Sequence, residues 1–399
     1  MRLIGLVRQD GQDFFRMRVL HVIPSVDERS GGPATAIVPM CRALMQQGVD
    51  VLLLSTTAGL THEVAQGEVS DHKGVPAIFF QSQLGESFKY SRPLSSWLRS
   101  NIQNFSLAHI HAVFNHSSVA AAHVCQKSGV PYVIRPLGTL DPWSMTQKSL
   151  RKRLFWQISG KGIMDNAAAV HYTSEAEKLS TESSLGMNHG TVIPLGVEVT
   201  VSNSVAKSDP YVLVLSRLHP KKRLDVLIDA LLSLVQKLEF AEWRLVIAGD
   251  GPSEYVSMLK AKAGADERIT FTGWLDGEEK NAVLSGASLL VLPSHQENFG
   301  LCVMEALAQS VPVLVSPNVN LAPEIAAANA GWIASIEKTA LEEKLAEALS
   351  NREELTKRGR AGLKLAEKYS WENSAHELVD LYRTVIQGSN NGSAYVQRV

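Results

Sequence analysis

The sequence predicts an α/β protein built from two doubly wound, mostly parallel domains, and three observations carry that expectation. Short runs of Val, Ile and Leu alternate with longer helix-like segments from Val19 onward, the pattern of parallel strands covered by helices on both faces. The alternation occurs twice, separated by a Ser-, Val- and Asn-rich stretch, Val199 to Pro210, that reads as a linker. A length of 399 residues also exceeds what one hydrophobic core usually organises.

In the first half the strand candidates are Val19–Ile23, Val51–Ser55, Ala108–Val113, Tyr132–Arg135, Ala168–Tyr172 and Val192–Pro194. In the second they are Tyr211–Ser216, Arg244–Ala248, Ile269–Thr272, Leu289–Leu292 and Val313–Ser316. A last amphipathic helix begins after Ser370, a good N-cap. The expected organisation is an extension at 1–16, a first domain at 17–203, a second at 204–370, a helix at 371–388 returning to the first domain, and a polar tail at 389–399. Met17 opens a basic residue followed by a buried strand, so Met1 and Met17 both stand as starts; Leu3 to Val7 is too short for a signal peptide.

Hydrophobic residues make up 45% and charged ones 20%, and 39 Lys plus Arg nearly cancel 40 Asp plus Glu. No global field therefore recruits nucleic acid or an anionic membrane, and any anion site must be local. Cys41, Cys125 and Cys302 lie far apart in apolar segments, which suits neither a disulfide framework nor a metal knuckle and points to a reducing cytoplasm. The apolar runs fall well short of the roughly 20 residues of a membrane helix.

Ligands of such sheets sit beyond the carboxyl ends of the strands, and the chemistry-bearing residues collect there. Glu297-Asn298-Phe299-Gly300-Leu301-Cys302-Val303-Met304-Glu305 follows a strand and opens a helix, so two carboxylates flank a turn whose bare N–H groups favour a phosphate or sugar oxygen. Taken alone, two solvated glutamates at a helix start would be the plainer account. Ser216-Arg217-Leu218-His219-Pro220-Lys221-Lys222-Arg223 follows a neighbouring strand; Arg217 and Lys222 suit the negative charge that develops on a diphosphate leaving group, while Lys221 and Arg223 read as solvated. Gly249-Asp250-Gly251-Pro252 repeats the same topological position. In the first domain Ser30-Gly31-Gly32-Pro33 is a glycine-bared helix start of anion-binding type. Neither a G-x-G-x-x-G fingerprint nor a P-loop is present, which disfavours nicotinamide and ATP as ligands.

Arg217 with Lys222, the Gly249 to Pro252 turn, and the E-x(7)-E spacing of Glu297 and Glu305 resemble, in this order and spacing, glycosyltransferase family 4 over roughly Met17 to Ile386. The resemblance implies a GT-B fold, two Rossmann-like domains facing across a cleft, with a nucleotide-diphosphate sugar as co-substrate, retention of configuration, and no cofactor or catalytic metal; the lack of a D-x-D motif agrees. It further implies that Arg217 and Lys222 hold the diphosphate, Glu305 the ribose and Glu297 the transferred sugar. Backbone N–H groups of Phe299, Gly300 and Leu301 assist, Gly249 and Asp250 line the donor site, and Gly32 approaches the phosphate from the first domain.

Many relatives place a histidine after the fourth strand of the first domain, where this chain reads Ile134-Arg135-Pro136-Leu137-Gly138. Arg135, His111 and His116 are the candidates for that space, as acceptor or cleft residues; a core histidine at 111 and a loop histidine at 116 fit as well. Pro136 to Trp143 is similar to a branch associated with surface polysaccharide assembly, which implies a glycan or lipid-linked acceptor. Lys148, Arg151, Lys152, Arg153 and Lys161, interleaved with Leu150, Leu154, Phe155, Trp156 and Ile158, suit contact with the inner membrane face or a helix that packs its apolar side on the domain. The expectation is a cytoplasmic, metal-independent retaining hexosyltransferase. A sugar-nucleotide epimerase or hydrolase, and a non-catalytic glycan- or transferase-binding partner, use the same features.

Overall fold

The computed structural model describes residues 17–61, 63–84, 88–146, 149–188, 190–199 and 209–390. The expected extension, most of the linker, Lys148 and most of the tail lie outside the described residues. The chain divides into two compact units, one running to Gly196 and resuming at Trp371, the other spanning Val197–Ser370.

The first unit is built on β1 (Arg18–Val22), β2 (Asp50–Thr56), β3 (Ser70–His72), β4 (Val75–Phe80), β5 (Leu107–His111), β6 (Tyr132–Arg135), β7 (Ala169–Tyr172) and β8 (Gly190–Val192), in sheet order β3-β4-β2-β1-β5-β6-β7-β8. All neighbours are parallel except β3 with β4. Period-two alternation sends Leu20, Val22, Leu52, Leu54, Ile78, Ile110 and Ile134 into one apolar cluster. The opposite face carries His21, His109, His111, Arg135 and His171, all buried. The helix Trp371–Asn390 belongs to this unit, with Tyr382 buried and Ser374 Oγ donating to the Pro194 carbonyl (2.8 Å).

The second unit carries β9 (Tyr211–Leu215), β10 (Arg244–Ala248), β11 (Ile269–Gly273), β12 (Leu289–Leu292), β13 (Val313–Val315) and β14 (Gly331–Ile333), ordered β11-β10-β9-β12-β13-β14 and parallel throughout. Its core joins Val212, Val214, Trp243, Leu245 and Ile247 to the apolar stripes of helices Leu224–Leu234 and Lys338–Leu349. Both sheets reverse strand order once, between β1 and β5 in the first and between β9 and β12 in the second. Loops leaving the strands on either side of such a switch point part from each other, and the crevice between them is where ligands of this architecture bind.

Three strands were not foreseen. Val75–Phe80 carries Pro76, which removes a ladder donor and speaks against a central strand; it lies second from the edge, covered only by the three-residue β3. Gly331–Ile333 is likewise only three residues long.

Candidate active site

The switch point of the second unit brings the two charged loops together. The segment after β9 tightens into a turn at Pro220–Lys222, and His295 N–H donates to the Lys221 carbonyl (2.8 Å), tying this loop to the one after β12. Glu297 is fixed from the other side, its N–H donating to Asn318 O and its carbonyl accepting from Asn320 N–H, both at 3.0 Å. With both loops pinned, Lys222 pairs with the Glu297 carboxylate and Lys221 Nζ donates to Gln296 Oε1 (2.6 Å). Burial alone would push the Glu297 carboxyl up, but the Lys222, Lys221 and Arg217 charges and the Lys222 hydrogen bond outweigh it and hold the group below the ordinary glutamate value. Arg217 is exposed and, among the described residues, meets no carboxylate within 4.0 Å.

Gly300, at φ 72° and ψ 60°, caps the helix Leu301–Ala308 in the left-handed region that glycine accepts without strain. The first helical amides with an acceptor are those of Val303 and Met304, both to Gly300 O, so the N–H groups at Gly300 and Leu301 are the bare end of the helix. Phe299 is buried below the turn. Glu305, one turn further, accepts from Lys280 Nζ (2.7 Å). Lys280 escaped the sequence reading, which had no local signal for a lysine 25 residues away.

The Gly249-Asp250-Gly251 turn has a specific structural task. A Cβ at Gly249 would stand 1.9 Å from Ser216 O, and one at Gly251 would stand 2.0 Å from Leu218 O. Leu218 N–H donates to Asp250 O (2.8 Å), so this turn is the seat on which the Arg217 loop rests. Asp250 is exposed, its carboxylate accepting from Gly251 N–H (2.7 Å).

In the first unit Gly32 opens the helix Gly32–Gln46, preceded by Gly31 at φ 110°. A cavity of about 600 Å³ beside it is lined by Ser30, Ala58, Gly59, Ser82, Gln83, Leu84 and Lys89. Burial pushes the Lys89 amine down, although Asp27 pulls it back up. His116 is not free: Nδ1 accepts from Ser91 N–H (3.2 Å), which leaves Nε2–H to donate to Ser95 Oγ (3.2 Å).

His111 and Arg135 end adjacent strands and join a buried polar stripe. His171 Nε2 must donate to the Ile193 carbonyl (2.8 Å), so its Nδ1 accepts from His109 Nε2–H (3.3 Å), and His109 Nδ1 in turn accepts from the Tyr382 hydroxyl (2.6 Å). His21 Nδ1 and His111 Nε2 share a second bond (3.1 Å), while His21 Nε2, His111 Nδ1 and the Arg135 Nε and Nη1 atoms are buried without a hydrogen-bond partner among the described residues. Burial first, then the Arg135 charge, lowers His21 to about 3; burial likewise takes His171 to about 3. His109 and His111 are held well below the ordinary histidine value for the same first reason. Burial also pushes Arg135 down to about 10.

Ring nitrogens of His21, His109 and His111 lie within 4.8 Å of one another. His109 stacks on His111 at 4.3 Å and 30° and His21 on His111 at 5.3 Å and 17°, while His21 and His109 are tilted by 47° at 5.1 Å. The Arg135 charge bears on all three rings and would repel a cation placed among them.

The apolar residues of the segment 149–161 divide into two groups. Phe155 and Trp156 pack against the core, whereas Leu150, Leu154 and Ile158 are 82%, 59% and 71% exposed. No helix among the described residues is long and apolar enough to cross a membrane.

Comparison with known proteins agrees with this architecture. Residues 31–196 match a glycosyl transferase 4-like domain and residues 199–365 match the group 1 glycosyl transferases. The D-inositol 3-phosphate glycosyltransferase of Nocardia farcinica (strain IFM 10152) is 29% identical over 190 residues, 46% of this chain and 42% of that protein. The matched stretch thus spans under half the length of this curated relative. Sucrose-phosphate synthase from Thermosynechococcus elongatus superposes with a TM-score of 0.76 at 18% identity, covering 94% of this chain and 100% of that one. Anabaena Alr3699/HepE, in complex with UDP and glucose, gives 0.71 at 16%, covering 92% and 100%. At such identities the two structures speak for the fold alone. The chain therefore belongs to the GT-B glycosyltransferases that join a 4-like domain to a group 1 domain.

Proposed function

We propose that the protein is a metal-independent, retaining glycosyltransferase that binds a nucleotide-diphosphate sugar in its second unit. The observation that carries this reading is the charged cluster at the β9/β12 switch point: a free Arg217, a Lys222–Glu297 pair and the bare helix start at Gly300 and Leu301. Bond cleavage puts negative charge on the diphosphate, and preset cations and N–H dipoles stabilise that change without reorganising. Arg217 supplies a planar donor fork, and Lys222 turns from Glu297 toward the phosphates as the sugar hydroxyls take up the Glu297 carboxylate. Glu305 accepts the ribose hydroxyls. No nucleophile is assigned to the sugar's far face; attack comes from the departing side, a phosphate oxygen helping to take the acceptor proton.

The acceptor side is the first unit. Its cavity, with Ser30, Ser82, Gln83 and Lys89, offers the mixed donors and acceptors that a glycan requires, whereas Arg135 and His111 are buried in the sheet and do not line it. Exposed Leu150, Leu154 and Ile158 beside Arg151, Arg153 and Lys161 suit a peripheral hold on anionic lipid, in keeping with a lipid-linked acceptor of surface polysaccharide assembly.

A thermal-shift series with UDP-, GDP- and ADP-sugars, with and without EDTA, tests the donor site, since a ligand of the native state raises its Tm. One nucleotide family should raise Tm in EDTA as in buffer, and Arg217→Ala should abolish the rise and lower turnover by about 10³-fold. Unchanged turnover in that variant refutes the assigned role.

A further inference from the structure

Each acid of the E-x(7)-E pair has its own lysine, and the two lysines come from different elements. Lys222, at the end of the turn after β9, serves Glu297. Lys280, on the helix Gly277–Gly286, places Nζ 2.7 Å from Glu305 Oε1, with side-chain exposures of only 23% and 22%. The Cys302 thiol, in the first turn of the helix Leu301–Ala308, is pushed up to about 12 by burial first; it also feels all four charges, Lys222 and Lys280 pulling it down while Glu297 and Glu305 push it up. Both ion pairs therefore surround one place.

A bare Glu305 carboxylate beside a diphosphate would repel it, and a glutamate on a helix rotates among several rotamers. A lysine in contact removes both difficulties. It cancels the charge and selects one orientation. A carboxylate has about four lone-pair sites; Lys280 occupies one on Oε1 and leaves Oε2 for a vicinal diol.

We infer that Lys280 is a positioning residue that sets ribose recognition, holding Glu305 as an oriented, charge-balanced acceptor for the 2′- and 3′-hydroxyls of a ribonucleoside diphosphate. The inference rests on the donor-site reading above. It adds a residue that lies outside the glutamate pattern, and it predicts discrimination between ribo- and 2′-deoxyribonucleotides.

Calorimetric titration of UDP, GDP and ADP against their 2′-deoxy counterparts tests it, on the full chain and on Lys280→Met and Lys280→Arg. The wild-type protein should prefer the ribo form of one base by about 10-fold or more, the worth of a charge-assisted hydrogen bond. Lys280→Met should lose that preference by weakening the ribo form alone, and Lys280→Arg should restore most of it. With the matching sugar nucleotide, Lys280→Met should raise KM while kcat stays within about two-fold, as expected for uniform binding. Wild-type discrimination retained in Lys280→Met overturns the inference and leaves the donor site standing. Failure of the wild-type protein to bind any of the six nucleotides overturns the donor-site reading and the inference with it.

Discussion

The two sheets share a parallel, doubly wound plan, yet they keep their charged groups in opposite places. In the first unit, adjacent strands β1, β5, β6 and β7 bury His21, His109, His111, Arg135 and His171 within the sheet itself. In the second, β9, β12 and β13 are apolar along their buried length, and Arg217, Lys222, Glu297 and Glu305 all stand beyond the strand ends. Polar groups inside a sheet answer to protons, because burial sets their ionisation. Charged groups on loops at a switch point answer to ligands, because they are reachable. One unit should thus be acid-sensitive and the other ligand-sensitive.

Acid is the strongest way to break this contrast. Histidines titrate near 6.5 when unfolded, while His21 and His171 are held near 3 and His109 and His111 well below the ordinary value. The unfolded chain therefore binds more protons below about pH 6.5, and stability that is complete above that value drains away as pH falls, by up to about 1.4 kcal/mol per pH unit for each histidine. Four acting together reach about 5.6 kcal/mol per pH unit. In the second unit Glu297 has a lowered value, so its contribution is lost only below the ordinary glutamate range. Hydrogen exchange, corrected for intrinsic rates, should show β1, β5 and β7 losing protection between pH 6.5 and 4.5 while β9 and β12 keep theirs. Simultaneous loss in both sheets would erase the distinction.

The loop side of the comparison is sharpened by Gly249→Ala. The new Cβ would meet the Ser216 backbone carbonyl oxygen at 1.9 Å, at a φ of 139° that L-residues avoid. The Arg217 loop must lift from its seat, at a cost of about 3 kcal/mol for strain of this kind. Nucleotide affinity should fall at least about 10-fold with it, whereas protection of β1 and β5 in hydrogen exchange should stay at the wild-type level. A variant that binds nucleotide normally would show that the turn does not position Arg217.

Much of this fold was legible because strands buried on both faces leave uninterrupted Val/Ile/Leu runs, as at Val51–Ser55 or Leu289–Leu292. Where that signal thinned, the reading missed: Pro76 masked β4, and the three-residue β3 and β14 are too short for any period to register. The loops after β9 and β12 were readable as charged segments at strand ends. Their partners were not. Lys280 reaches Glu305 because the order β11-β10-β9-β12 folds its helix back, a fact of sheet order rather than spacing. The same holds for the histidine stripe. His21, His109 and His171 are ordinary members of separate strands until β1, β5 and β7 are set within one sheet, and only the repeated appearance of a histidine inside an apolar strand hinted at them.

The smallest expected effect concerns the join between the stripe and the C-terminal helix. Tyr382 donates its proton to His109 Nδ1 and so closes a chain whose tautomers are set at its other end, where the Ile193 carbonyl requires His171 Nε2–H to donate and each ring that donates on one side accepts on the other. Tyr382→Phe keeps the ring and its packing but strips the donor, leaving a buried nitrogen lone pair bare at a cost of about 1–2 kcal/mol. For a unit of this size that amounts to a fall of about 2–4 °C in Tm for each kcal/mol. The loss should be larger for the helix Trp371–Asn390 than elsewhere, seen as faster exchange of its amides, with the nucleotide-induced rise in Tm unaltered. His109→Gln in the Tyr382→Phe background separates a bond from mere packing. If the hydroxyl acts through His109, removing the imidazole should make the two changes cost less together than the sum of each alone. Strict additivity would mean that Tyr382 only fills space and that the stripe does not hold the helix.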